Sequence, residues 1–232
     1  MKTIVIAGGL LASAALLTGC GLQSLAGPTN QDTVDYQVTD KVARLQVKSG
    51  AGDVAITEYD GSAVRVTETL QWRESKPKTT HKVEGDTLML TYTCDDGRSS
   101  WRSCHVNYKV EVPKSLAVTV KNGSGDITLR SLTGATEVST GSGDVDGTGL
   151  AAKSTIAEAG SGGIELKYVT APDSVQVDAG SGDIGLRVPD GSYAVTVKTG
   201  SGDEAISVKD DDASPHKLTL EAGSGDITVS PA

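Results

Sequence analysis

The phrase Gly-Ser-Gly followed by Asp or Gly occurs six times between Gly123 and Asp226. The copies begin at Gly123, Gly141, Gly160, Gly180, Gly200 and Gly223, so successive starts lie 18, 19, 20, 20 and 23 residues apart. A looser copy, Gly50-Ala51-Gly52-Asp53, stands upstream. A period near 20 residues marks a chain that stacks one supersecondary unit on itself. It also argues against catalysis, because a site needs unlike residues to converge and a repeat delivers like residues in columns.

The flanks say what the unit is. Val118 and Val120, Val175 and Val177, Val195 and Val197, and Leu218 and Leu220 precede their corners at fixed offsets. Ile127 and Leu129, Ile164 and Leu166, Ile184 and Leu186, and Ile227 and Val229 follow them. The upstream copy has Leu45 and Val47 before it and Val54 and Ile56 after it. Alternation with period two is the strand signal, and the glycines supply the positive φ of a tight corner. A third apolar position follows at Leu132, Leu150 or Val169.

Each unit has one apolar face and buries it by stacking, which gives an all-β, parallel β-helix-like solenoid around a thin aliphatic core. The composition of 28 Gly and no Phe suits such a core. An antiparallel sandwich also accommodates short strands at this spacing, but near-identical corners favour the solenoid, where they lie on top of one another. The copies at Gly141 and Gly160 carry small or polar residues at Thr136, Gly147, Thr155, Ala157 and Gly163, and read as thin or indented rungs.

The start of the chain gives its address. Met1-Lys2, an apolar stretch over residues 4–17 and Leu17-Thr18-Gly19-Cys20 form a signal peptide over residues 1–19, too short to span a bilayer. Leu-x-Gly-Cys resembles the bacterial lipobox, which implies lipid attachment at Cys20 through acyl chains such as palmitate. The expected location is the cell membrane, lipid-anchored and facing outside the cytoplasm. Residues 20–35 read as a flexible tether and 36–232 as a single repeat domain, with 57–113 a diverged, cap-like insert. Cys94 and Cys104 remain as an even pair in an exported chain, so a disulfide is expected. A metal site from Cys94, Cys104, His105 and Asp95 or Asp96 lacks ligand spacing. The formal charge is −9, and loss of Lys2 with residues 1–19 leaves −10, which disfavours nucleic acid and direct adsorption to anionic headgroups. A monomer without cofactor is expected.

Between Asp53 and Asp126 the corner phrase is absent. Longer strands are expected over 64–72, 87–94 and 105–112, with a hairpin turn at Glu84-Gly85-Asp86. This stretch is either a cap that closes the solenoid end or a binding face built from Trp72, Arg73, Arg98, Trp101 and Arg102. The order of these features, namely a start like residues 43–56, a diverged middle, Val110-Glu111-Val112-Pro113 and then repeated Ser-Gly-Asp-Ile copies, resembles the bacterial putative-adhesin family of β-strand-repeat envelope proteins. The resemblance covers roughly residues 36–230. It implies a β-solenoid-type fold, exposure on the envelope and an adhesive role, and it carries no catalytic motif.

The function read here is a non-catalytic adhesion, binding or scaffold module of the cell envelope, with an envelope glycan or protein as partner. A purely structural spacer is the alternative. A polysaccharide-acting β-helix enzyme is a further one, in which Lys121, Arg130, Lys167, Arg187 and Lys198 would share a face with carboxylates. His81, His105 and His216 stand at no catalytic spacing. Asp126, Asp144, Asp183, Asp203 and Asp226 are expected to form a ladder interrupted at Gly163, where neighbours repel by about 1 kcal/mol or less in water. Each aspartate is read as accepting hydrogen bonds from its own turn, rather than binding calcium, because the nine-residue period of calcium-binding repeats is missing. Millimolar calcium is therefore expected to leave the melting temperature unchanged in calorimetry, and a shift of many degrees would assign the column to the ion.

Overall fold

The computed structural model describes residues 30–94 and 104–232. These residues form 20 strands and no helix. In chain order the first seven are β1 (Asn30–Val38), β2 (Arg44–Ser49), β3 (Val54–Tyr59), β4 (Val64–Trp72), β5 (Lys78–Glu84), β6 (Thr87–Thr93) and β7 (Cys104–Pro113). Then come β8 (Ala117–Ser124), β9 (Ile127–Arg130), β10 (Thr136–Ser142), β11 (Val145–Leu150), β12 (Ser154–Ser161), β13 (Ile164–Tyr168), β14 (Ser174–Ser181) and β15 (Ile184–Val188). The last five are β16 (Ser192–Thr199), β17 (Glu204–Ile206), β18 (Lys209–Asp210), β19 (Lys217–Ser224) and β20 (Ile227–Pro231).

Two ten-stranded sheets result. Every repeat sends the strand after its corner to the first sheet, ordered β1-β4-β7-β3-β9-β11-β13-β15-β20-β17. The strand before the corner goes to the second, ordered β18-β16-β19-β14-β12-β10-β8-β2-β6-β5. Within the repeats all pairing is parallel and like residues align, as with Val120↔Val138 and Ile164↔Ile184. The solenoid expected from the repeat is therefore present.

Corners stack by direct backbone contact. Gly143 N–H donates to Ser161 O at 3.0 Å and Val145 N–H to Gly163 O at 2.9 Å, and the other corners repeat this pattern. Positive φ belongs to the third position of the phrase, as at Gly143 (φ +135°). The first position is fixed by crowding instead: a Cβ on Gly141 would lie 2.5 Å from Gly123 O. Both glycines are thus demanded by the neighbouring rung.

The inward residues of the two sheets make a continuous aliphatic core, in which Val47, Ile56, Val120, Leu129, Leu166, Leu186 and Leu220 are fully buried. Leu132 and Leu150 fill the third apolar position, but Val169 is 64% exposed, and Tyr168 one residue earlier is buried in its stead. The strand continues one residue further than the spacing suggests, so the ring and not the valine points inward. At the indented rung, a Cβ on Gly147 would meet Leu150 and Leu166 within 3 Å, so the leucines occupy the space that the glycine leaves. Gly163 belongs to the aspartate column rather than to an apolar slot.

The diverged stretch builds one end of the stack. β6 and β7 form a rung flanking β2 and β3, and the Cys94–Cys104 disulfide, Cα–Cα 6.1 Å, stands where other rungs have their glycine corner. Side chains replace the missing corner contacts. The Tyr92 hydroxyl accepts from Ala51 N–H (2.7 Å) and donates to Ala51 O (2.8 Å), and the Asn107 carbonyl accepts from Asp53 N–H (2.9 Å). β4 pairs antiparallel with β7, and β5 forms the expected hairpin with β6 around Gly85 (φ +63°). One expectation fails here. Residues 30–35 are not tether but the first part of β1, which pairs antiparallel with β4 from Asn30↔Trp72 to Val38↔Val64. As an edge strand it packs inward mainly through Tyr36 and Val38, which hides it among polar residues. The Tyr36 hydroxyl donates to the buried Glu68 carboxylate at 2.7 Å.

At the opposite end the rungs depart from chain order. β19 lies between β14 and β16, and β20 between β15 and β17, so the Gly223 rung is inserted and the Gly200 rung is outermost. The cause is one residue. Where other copies follow Asp with Ile or Val, the Gly200 copy has Glu204. In chain order that carboxylate would point into the core between Ile184 and Ile227, unpaired, at a cost of several kcal/mol. At the edge it is exposed, and its Oε1 accepts from Thr199 N–H at 3.1 Å. An inward charge on an edge strand also blocks pairing with other molecules. Glu204→Ile is expected to give concentration-dependent association in light scattering, whereas a strictly monomeric variant would remove Glu204 from the closing of this edge.

Candidate functional site

The aspartate column does not bond its own turn. Every carboxylate of the column except that of the outermost Asp203 reaches across to the next rung: Asp53 Oδ1 accepts from Asp126 N–H (3.0 Å), Asp126 from Asp144 N–H (2.9 Å) and Asp144 from Gly163 N–H (2.8 Å). Asp183 then accepts from Asp226 N–H (2.9 Å) and Asp226 from Asp203 N–H (2.8 Å), following the rung order in space. The cross-rung bond wins because stacked corners place the next amide beside the carboxylate, and it offsets the repulsion along the column. Among the described residues no group of three or more His, Cys, Asp or Glu is arranged to hold a metal ion.

Gly163 breaks this ladder, because it supplies no carboxylate for Asp183 N–H. A groove of 530 Å³ opens at the break on the outer face of the first sheet, lined by Asp144, Asp146, Glu165, Asp183, Asp226 and Thr228 around Gly163 and Gly185. Neither glycine there has a strained φ, and a Cβ on Gly185 would touch only Glu165 Cγ at 3.5 Å. The space is a consequence of side-chain size, not of backbone shape.

Charges beside the groove follow a pattern with one gap. The Arg130 guanidinium pairs with Asp146 and donates to Thr148 Oγ1 at 3.0 Å, and Lys167 pairs with Glu165 at 2.9 Å. Arg187 is the register neighbour of Lys167. Gly185 stands where Glu165 does one rung earlier, so the acid that would serve Arg187 is missing, and among the described residues Arg187 has no ion-pair partner. Sequence reading overlooked this vacancy, although the spacing Glu165-x-Lys167 against Gly185-x-Arg187 carries it. The five basic residues singled out from sequence divide. Arg130, Lys167 and Arg187 share the first sheet's outer face, while Lys121 and Lys198 lie on strands of the second.

Of the other sequence candidates, Trp72 and Arg73 sit at the end of β4, with Trp72 opposite Cys104 in register. The Lys76 ammonium lies 5.7 Å from the Trp72 ring centre and pairs with Asp32, and Asn30 Nδ2 donates to the carbonyl of Arg73 at 3.2 Å. This shoulder adjoins the disulfide. Arg98, Trp101, Arg102 and the proposed lipid attachment at Cys20 lie outside the described residues.

Stacked corners, parallel two-sheet rungs and a diverged end agree with a family model, Toastrack DUF4097, that matches residues 42–231. The chain belongs to the Toastrack DUF4097 family. No curated protein matches this Toastrack chain. Solved structures similar to it include a putative cell adhesion protein from Clostridium sporogenes, with 12% identity, TM-score 0.49, and 88% of this chain and 100% of that chain covered. A putative adhesin from Bacteroides fragilis has 16% identity and TM-score 0.44, with 89% of this chain and 100% of that one covered. A putative lipid binding protein from Parabacteroides distasonis has 12% identity and TM-score 0.32 over 89% and 98% of the two chains.

The break in the Toastrack ladder yields a direct prediction. Asn107 already plays the carboxylate's part toward Asp53 without charge, so Gly163→Asn is expected to capture Asp183 N–H and to restrict the unfolded chain. It should stabilise the protein by about 1 kcal/mol, raising the melting temperature by about 2–4 °C. An unchanged or lower value would show that Asp183 N–H gains nothing from an acceptor.

Proposed function

We propose that the protein is a non-catalytic binding module of the cell envelope, anchored through lipid at Cys20, and that it takes a neutral glycan chain in the Gly163–Gly185 groove. The observation that carries this reading is Arg187, without an ion-pair partner among the described residues and two positions along β15 from Gly185, beside a groove lined mainly by carboxylates. Sugar hydroxyls both donate and accept, so they suit a groove whose carboxylates and Thr228 accept, with the Asp183 N–H at the break in the ladder and Arg187 along the neighbouring strand as donors. A volume of 530 Å³ lies within the range of small-ligand pockets. Binding is favoured over cleavage because the acids at hand are engaged: Asp146 and Glu165 in ion pairs, Asp144 and Asp226 as acceptors of backbone N–H. A general acid needs a carboxyl with a raised pKa and a clear approach to its substrate.

The Trp72 and Arg73 shoulder, with Arg98, Trp101 and Arg102, is the second surface proposed for envelope contact. Retention of the purified protein on cell-wall glycans separates the two surfaces. Gly185→Glu restores the missing acid without backbone strain and is expected to abolish retention at unchanged melting temperature, whereas Trp72→Ala is expected to weaken it little. Loss with Trp72→Ala alone would move the site to the shoulder. Retention of none of the forms would favour the structural spacer, and release of soluble sugar would make the protein an enzyme.

A further inference from the structure

We propose that the slot between the Gly180 rung and the Gly200 rung is an exchange site, filled in the monomer by the chain's own C-terminal rung and in a dimer by that of a second copy. In a solenoid that follows chain order the last rung only adds to an edge. Here β19 and β20 are hydrogen-bonded on both sides, to β14 and β15 inward and to β16 and β17 outward. The inserted segment buries Leu218, Leu220, Ala222, Ile227 and Val229. Every contact it makes is available to an identical segment arriving from another molecule, which is the condition for exchange between copies.

The connection supports this. Residues 211–216 lead from the outermost strand β18 past β16 to β19, and their first part is a single turn closed by Ser214 N–H donating to Asp211 O at 2.8 Å. From the last residue of that turn onward, the segment holds itself to both walls of the slot. Ser214 Oγ donates to Ser192 O at 2.7 Å, and His216 Nδ1 lies 2.7 Å from Pro172 O. These contacts travel with the segment and re-form in an acceptor molecule. Opening the turn at Asp211–Ser214 is then the one local change that separates own from foreign insertion.

The Gly180, Gly200 and Gly223 rungs share one corner phrase, so on this proposal the Gly200 rung can close onto the Gly180 rung when the inserted rung has left. Exchange then needs no exposed slot at equilibrium, only transient departure of the inserted segment. A groove of 340 Å³ over the inserted corner, lined by Asp178, Gly180, Lys198, Gly200, Glu221 and Gly223, leaves that corner open to solvent.

Gln176 and Thr219 face one another across the slot in register, so they report which molecule supplies the rung. Full-length chains carrying Cys20→Ser and either Gln176→Cys or Thr219→Cys are mixed, partly unfolded, refolded at high and low concentration and oxidised. The expected result is a disulfide-linked heterodimer that grows with concentration and keeps the native melting temperature. Placing Gln176→Cys and Thr219→Cys in one chain and oxidising it as a monomer locks the rung in its own slot, and is expected to abolish dimer on subsequent refolding. Linkage no greater than that of Gln176→Cys with the non-adjacent Thr228→Cys overturns the proposal. So does a dimer that persists in the locked chain, since it must use another surface.

Discussion

Close approach of one corner's carbonyl to the next corner's glycine governs this molecule. Gly141 has room for no Cβ because Gly123 O would lie 2.5 Å from it, and that proximity lets the amides of one corner meet the carbonyls of the next. Register is thereby fixed at one point in every rung, and each strand leaves the corner with its side chains already aligned to those above and below. The core columns of valine, isoleucine and leucine follow, and so does the carboxylate ladder. Because the register is imposed at the corner, the outer faces inherit columns as well. Departures from a column, such as Gly163 and Gly185, consequently appear as gaps in a surface rather than as changes of fold.

Two opposing effects bear on the order of the last rungs, and their sizes decide it. On the outer face of the second sheet, chain order would interleave Lys198 between Asp178 and Glu221, whereas the observed order sets Asp178 beside Glu221. Exposed pairs of this kind contribute about 0.2–1 kcal/mol. Placing Glu204 in the core would cost several kcal/mol. The core prevails, and the surface accepts the poorer arrangement. The same residue then closes the edge it occupies, together with Asp210, which accepts from Val195 N–H at 3.1 Å.

Much of this was legible in the sequence, because period and alternation report the two things a stacked fold needs, a recurring corner and a one-sided apolar strand. The two-strand rung, the hairpin at Gly85 and the Cys94–Cys104 bridge all have local signals. What escaped was relational. Rung order depends on comparing slot occupants between copies, and Glu204 was visible only against Ile127, Ile164, Ile184 and Ile227. The acceptor role of each aspartate depends on a residue 18 or more positions away, which no turn propensity encodes. β1 escaped because an edge strand needs few apolar residues. The groove was legible in part: Gly163 announced an indentation, but the unpaired Arg187 emerged only once β13 and β15 were laid side by side.

The disulfide has a meaning for variation that its role as a clamp does not convey. In the glycine-cornered rungs inside the stack the corner is locked to two neighbours, so a residue inserted or enlarged there would disturb three rungs at once. At the Cys94–Cys104 rung a covalent bond stands in place of that mutual constraint. The covalent bond holds the strand ends, and Tyr92 and Asn107 supply the contacts owed to the adjoining corner. This rung takes its register from a covalent bond and two side chains rather than from stacked glycines, so it is the one rung that can depart from the corner phrase and still join the stack.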